Sequence, residues 1–157
     1  MIILIFGQPA SGKTTLAHEI KRAQVFYDTI LIDGDRWRDI TKNKDFSKQG
    51  RVYNLRGAFN MALFLEKEGY TPILSFVTPY QELRDYLKDN AEDLIQVYLE
   101  YNEDRGRNNN FAKDFEEPIE GVLRLNTSEA SILNCYYQIL KYVYEEKSRR
   151  QHAAENG

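Results

Sequence analysis

Two rhythms of apolar and polar positions take turns along this chain. Short apolar runs at residues 2–6, 29–32, 72–77, 94–99 and 122–125 have the length and branched-residue content of buried strands. Between them, apolar residues recur at helical spacing. Residues 14–24 form one such stretch. Residues 51–68 form a second, with Leu55, Phe59, Ala62, Leu63 and Leu65 on one face and Gly69 as its stop. Residues 81–88 are a shorter helix. Residues 128–146 set Ile132, Leu133, Tyr136, Ile139, Leu140 and Val143 on a single face. Alternating strands and helices predict an α/β fold of three layers, a five-stranded parallel sheet with helices on both faces. Such sheets bind ligands at the carboxyl ends of their strands. The site is therefore expected on the rim that follows residues 6, 32, 77 and 99.

That rim carries a specific string. Gly7-Gln8-Pro9-Ala10-Ser11-Gly12-Lys13-Thr14 fits G-x-x-x-x-G-K-[ST] between a strand and a helix, the phosphate loop of the P-loop NTPase fold. Its glycines let backbone N–H groups approach phosphate oxygens, and the following helix adds the positive end of its dipole. Lys13 can reach the β- and γ-phosphates of ATP, and the Thr14 hydroxyl can ligate Mg²⁺. Thr15 is a further ATP-binding candidate.

After the second strand comes Asp33-Gly34-Asp35-Arg36-Trp37-Arg38. Two carboxylates around a glycine suit phosphoryl transfer, one holding a water on Mg²⁺ and the other taking a proton from a substrate hydroxyl. The bland reading is an Asp-Gly turn in which Asp35 caps a helix. Behind a phosphate loop the catalytic reading is favoured. Arg36, Arg38, Arg51 and Arg56 each read either as a bidentate anion contact or as a surface ion pair. Arg51, Asn54 and Arg56 cannot all share one helix face, so at most two of them point into a site together.

Composition changes little in this picture. The chain has 157 residues, enough for one core, and a net charge of −3 announces neither a nucleic-acid nor a membrane partner. One domain is expected over residues 1–147, with a short lid at 101–117 and a disordered tail at 148–157. A single cysteine, Cys135, excludes an internal disulfide and fits a reducing compartment. The start lacks a basic leader, so the cytoplasm is the expected location. His18 and His152 are too far apart in sequence to read as a zinc site, and His18 reads as solvated. Cys135 falls among core positions and reads as packing.

The order of motifs resembles the adenylylsulfate kinase family, whose members phosphorylate the 3′-hydroxyl of adenosine 5′-phosphosulfate. The resemblance rests on the phosphate loop, then D-G-D-x-x-R at 33–38, Phe46-Ser47, and R-x-x-N-x-R at 51–56. It continues with Ser75-Phe76-Val77-Thr78-Pro79-Tyr80 and Arg84-Asp85, and closes with Leu123-Arg124-Leu125-Asn126-Thr127. It spans about residues 2–127. The resemblance implies that Lys13, Asp33 and Asp35 are catalytic and that Asp35 and Thr14 support the metal. Arg38, Arg51 and Asn54 would hold the phosphosulfate and sugar of the acceptor. Phe46 and the backbone at Val77 and Thr78 would line its adenine pocket. Arg105 would lie over the adenine of ATP, Phe111 would match a lid aromatic, and Lys113 would serve as the lid lysine on the acceptor. A homodimer is compatible with this pattern.

The chain departs from the family in carrying Thr78 where a serine precedes the proline. Its stretch between the fourth strand and Arg105 is short, and its lid string is Arg105-Gly106-Arg107-Asn108-Asn109-Asn110-Phe111-Ala112-Lys113. Three readings follow. The first is an ATP-dependent kinase of adenylylsulfate kinase type. The second is a small kinase with another hydroxyl acceptor: a nucleoside, a sugar or a nucleic-acid end. The third is a nucleotide-binding module without catalysis, against which the intact Lys13, Thr14 and Asp35 speak.

Overall fold

A computed structural model describes residues 1–106 and 111–156. Its elements follow in the order β1 (Ile2–Phe6), α1 (Lys13–Ala23), β2 (Thr29–Asp33), α2 (Gly34–Thr41), α3 (Lys48–Lys67), β3 (Thr71–Phe76), α4 (Gln81–Asn90), β4 (Leu94–Glu100), β5 (Leu123–Asn126) and α5 (Ile132–Glu155). The five strands form one sheet in the order β2-β3-β1-β4-β5, and every pairing is parallel. The α/β, P-loop-type architecture read from the sequence is the one observed.

β1 lies at the centre, and all five of its residues are fully buried. That is why its sequence is a continuous apolar run without alternation. Ile2, Leu4 and Phe6 face the layer built by α3 and α4, packing with Leu55, Phe59, Leu83 and Leu87. Ile3 and Ile5 face the layer of α1 and α5, with Leu16, Ile20, Cys135 and Ile139. Cys135 is buried, as its place in the periodic face implies, and His18 is exposed. Phe6 pairs with Phe76, and Asp33 with Ser75, so β1, β2 and β3 end within one residue of a common level, while β4 runs two residues past the partner of Phe6, Tyr98. The segments that leave them emerge side by side on one rim.

The strands and the first three helical stretches, observed as α1, α3 and α4, lie within a few residues of their expected bounds, while the fourth, expected over 128–146, is observed as α5 from Ile132 to Glu155. The sequence pattern assigned no element to α2. None of its residues is buried, so no apolar stripe marks it. It starts because the Asp33 carboxylate accepts from the N–H groups of Asp35 and Arg36.

The expected disordered tail at 148–157 is corrected: α5 runs to Glu155. Arg149 pairs with Glu145 and Glu146 along the helix, and Arg150 pairs with Asp93 beside the start of β4. Contacts of the first kind support a helix and the second anchors it. At the other end, Ser131 Oγ accepts from Asn134 N at 3.1 Å. Ser131→Ala is expected to cost about 1 kcal/mol in urea unfolding, with cleft binding untouched. No loss would mean that the cap is dispensable. Among the described residues, no helix is long and apolar enough to cross a membrane.

Candidate active site

The loop after β1 is held open from all around. Four consecutive carbonyls each accept from a side chain: Gln8 O from Lys13 Nζ (2.7 Å), Pro9 O from the Tyr101 hydroxyl (2.7 Å), Ala10 O from Arg105 Nη1 (3.0 Å) and Ser11 O from Thr127 Oγ1 (3.0 Å). With the negative ends of these dipoles satisfied elsewhere, the N-terminus of α1 can turn its N–H groups and its positive end to an anion. Gly7 is required by close approach. A Cβ there would stand 2.2 Å from Leu99 O. Gly12 sits at φ 95°, a left-handed conformation that glycine adopts without strain, and starts α1.

The loop floors a cleft of about 760 Å³. Its walls come from the residues at and after the end of β2 (Asp33, Gly34, Asp35, Arg38), those at and after the end of β3 (Ser75, Phe76, Val77, Thr78, Pro79), Phe46, and the first turns of α3 (Arg51, Asn54, Leu55). Pro9, Ala10, Gly12, Lys13, Thr14 and Thr15 line the phosphate end. The cleft gathers residues separated by up to about a hundred positions because three strand ends share one level.

The two aspartates occupy different places. Asp33 Oδ2 accepts from the Thr14 hydroxyl at 2.8 Å, while its Oδ1 caps α2. Asp35 is exposed at the start of α2 and lines the cleft. The helix cap is Asp33, not Asp35. The carboxylate standing beside the Thr14 hydroxyl is also Asp33, because only β3 separates β2 from β1 and Asp33 lies in register with Ser75 near the end of β3. Ser75 Oγ lies 3.4 Å from Thr14 Oγ1, a neighbour that the sequence reading passed over.

At the far end, Arg38 and Arg51 flank Phe46, with guanidinium carbons 4.2 and 5.8 Å from its ring centroid. Arg38 Nη1 is steadied by the Asn43 side chain and by Asp45 O, each at 3.0 Å, and Arg51 Nε donates to Phe46 O at 2.9 Å. Burial, and then the neighbouring Arg51, push the Arg38 guanidinium below its usual range. Two cations held this close present an electropositive wall. Ser47 caps α3 by accepting from Gly50 N, and this fixes Arg51 and Asn54 one turn apart on the cleft side. Arg56 leaves the cleft and stacks on Tyr86 at 3.8 Å. Asn54 is 4% exposed, and its Oδ1 has no hydrogen-bond partner among the described residues. Thr78 is fully buried at φ 46°, and its hydroxyl is likewise unpartnered.

Two further candidates are placed elsewhere. Lys113 lines a smaller cavity of about 400 Å³ with Gln8, Tyr98 and Tyr101, and not the main cleft. The turn that follows Ala112 carries it to the other side of Phe111, which borders both spaces. Arg105 packs on the Tyr101 ring at 4.4 Å, bonds Thr127 and pairs with Glu103. It braces the phosphate loop from outside the cleft lining. The lid string at 107–110 lies outside the described residues. The bracing role of Tyr101 was not legible. Its only signal was a position just past the fourth strand, on the expected rim.

Residues 1–126 match the family model described as adenylylsulphate kinase. A probable adenylyl-sulfate kinase of Archaeoglobus fulgidus is 32% identical over 132 residues, covering 80% of this chain and 85% of that protein. Among solved structures, the Mycobacterium tuberculosis APS kinase in complex with AMPPNP and APS superposes with a TM-score of 0.75 at 20% identity, covering 90% of this chain and 94% of that one. A gluconokinase from Sinorhizobium meliloti shares the fold at a TM-score of 0.71 and 14% identity, covering 96% of this chain and 95% of its own.

Proposed function

Because the chain belongs to the adenylylsulphate kinase family, and is thus an ATP-dependent kinase acting on a hydroxyl, we propose that its acceptor is the ribose 3′-hydroxyl of adenosine 5′-phosphosulfate. The observation that carries this reading is the continuity of one cleft. The same space runs from Lys13 and Asp35 to the Arg38–Phe46–Arg51 wall. An anionic group with an attached aromatic base suits that wall, the guanidinium groups facing the anion and Phe46 facing the base. Asn54 Oδ1 is a buried acceptor open to a donor on the substrate.

In this reading the γ-phosphate of ATP rests at the N-terminus of α1 beside Lys13. The acceptor O–H proton passes to the Asp35 carboxylate as the oxygen attacks the γ-phosphorus, and ADP departs with the bond it breaks. Lys13 and the loop N–H groups carry the charge spread over the transferred oxygens. The Thr14 hydroxyl and Asp33 carboxylate are hard oxygen donors side by side. They fit a Mg²⁺ ion bound mostly through phosphate and water, with Asp33 acting through such a water. When bound, the ion neutralises phosphate charge. Among the described residues no cluster of three or more acidic, histidine or cysteine side chains forms a metal cage, which is the pattern expected when phosphates supply most ligands.

The testing experiment is transfer of labelled γ-phosphate from Mg²⁺·ATP to adenosine 5′-phosphosulfate, run beside a nucleoside, gluconate and a 5′-hydroxyl oligonucleotide. Label on the 3′-oxygen of adenosine 5′-phosphosulfate supports the proposal. Label only on another acceptor replaces it. That second reading is favoured by the position of Lys113, which leaves the acceptor end of the cleft without the expected lysine.

Arg38→Ala and Arg51→Ala are each expected to raise the acceptor KM about 10- to 100-fold. A hydrogen bond to a charged group is worth about 1.5–3 kcal/mol. The KM for ATP should stay within about twofold, because both residues lie away from the phosphate loop. Equal loss of ATP affinity in steady-state kinetics would put these arginines on the donor side.

A further inference from the structure

Residues 112–116 touch both halves of the cleft. On the donor side, the Gln8 carboxamide pairs with the backbone of Ala112 in both directions. Gln8 Nε2 donates to Ala112 O at 3.0 Å, and Ala112 N donates to Gln8 Oε1 at 3.0 Å. This is the pairing one strand residue offers another, made here by a side chain of the phosphate loop. Ala112 itself is 3% exposed.

On the acceptor side, Glu116 N donates to Pro79 O at 2.8 Å, and Glu116 Oε2 accepts from Gln81 N at 2.6 Å. Arg84 completes the junction. Its Nη2 donates to Glu116 O at 2.6 Å and its Nη1 to Thr78 O at 2.8 Å. It is 1% exposed, between the rings of Phe6 at 5.0 Å and Phe115 at 6.0 Å, and no carboxylate lies within ion-pairing distance among the described residues. Burial lowers the pKa of its guanidinium. Its Nη2 also donates to Gln81 Oε1 at 2.7 Å, and burying a charge on neutral acceptors without a carboxylate is costly. The carbonyl it holds belongs to Thr78, a branched residue at φ 46°, which is strained unless its surroundings impose that conformation. The Tyr80 phenol, pushed up to about 12 by burial and by Asp114, adds a neutral contact between the same two segments.

We propose that Gln8 and Arg84 are positioning residues for phosphoryl transfer, locking the donor loop and the acceptor wall onto one shared strap, residues 112–116. β1 and β3 are paired strands, so the roots of the two loops are fixed by the sheet. Their tips extend beyond it, and the strap fixes the tips. In-line transfer needs the two reactants placed to better than about 1 Å, and misplacement of that size costs up to about 10²-fold in rate. The inference rests on the kinase activity, not on the identity of the acceptor.

Two measurements on the full chain test it. The first is amide hydrogen exchange without substrates. Gln8→Leu is expected to speed exchange about 5-fold at Ala112, the amide it frees, and also at Glu116, whose partner is Pro79 on the other side. Acceleration at Ala112 alone would overturn the coupling. The second is turnover of Gln8→Leu, Arg84→Lys and the double variant, with whichever acceptor the wild type phosphorylates. Lysine keeps the charge of Arg84 but not the fork that reaches two carbonyls. Each single change should lower kcat about 10-fold with the KM for ATP within about twofold. The double variant should be no slower than the worse single one, since either cut frees the strap. Multiplied losses would show two independent roles and overturn the proposal. Should Arg84→Lys fail to fold, Gln8→Leu decides by itself. Unchanged exchange at Glu116 with unchanged kcat then refutes it. Lack of turnover with adenosine 5′-phosphosulfate in the wild type would refute the acceptor assignment and leave the exchange result standing.

Discussion

Replacing Lys13 by alanine is expected to lower kcat about 10²–10³-fold while the fold survives. Lys13 is 9% exposed, with its ammonium 2.7 Å from Gln8 O and 3.3 Å from Ser11 Oγ. It stands at the N-terminus of α1 and lines the cleft, where the proposed transfer would develop charge on the phosphoryl group. Removing one preorganised charge-stabilising donor from a phosphoryl- or acyl-transfer site costs about this much. The loop itself should persist, because its other carbonyls are held by Tyr101, Arg105 and Thr127. Single-turnover rates with saturating ATP, beside a thermal unfolding curve, check both halves of the statement. Near-normal turnover would remove Lys13 from the phosphate site.

Asp35→Asn is expected to lower kcat about 10²–10⁴-fold, with a smaller effect on the KM for ATP. The change is nearly isosteric but deletes the proton acceptor, and general-base contributions are of that order. Asp35 lines the same cleft as the phosphate loop and the arginine wall, and in the proposed reaction the substitution acts on the acceptor hydroxyl rather than on the nucleotide. Asp33→Asn should behave differently. An asparagine still caps α2 through its carbonyl oxygen, but the oxygen beside Thr14 is lost or inverted to a donor. The expected result is weaker Mg²⁺·ATP binding, read as a raised KM for ATP at limiting Mg²⁺ and recovered in part at high Mg²⁺. Identical kinetic profiles for the two variants would mean that the carboxylates share one role. An Asp35→Asn enzyme of unchanged kcat would need another base.

Much of the arrangement of these residues was visible in the chain. The phosphate loop is contiguous, so its glycines, lysine and threonine carry their meaning in spacing alone. β1 read as a buried strand because a central parallel strand has no exposed face to leave polar. Arg51 and Asn54 share the cleft while Arg56 does not, as helical geometry requires of residues three and five apart. α2 went unread because it buries nothing. The helical tail went unread because its anchor, the Arg150–Asp93 pair, joins residues far apart in sequence.

The sequence by itself determined the layered α/β architecture, the rim on which a site must lie and the phosphate-binding loop, since each depends on neighbours a few residues apart. Only the tertiary structure decided which aspartate meets Thr14, that Lys113 falls outside the main cleft, and that Tyr101, Arg105 and Thr127 brace the loop. Those facts follow from the order β2-β3-β1-β4-β5 and from the ends of β1, β2 and β3 lying within one residue of a common level. Strand order is set by how two hydrophobic layers close over the sheet, a choice made by contacts between residues as much as a hundred positions apart. No local pattern of apolar and polar residues encodes it.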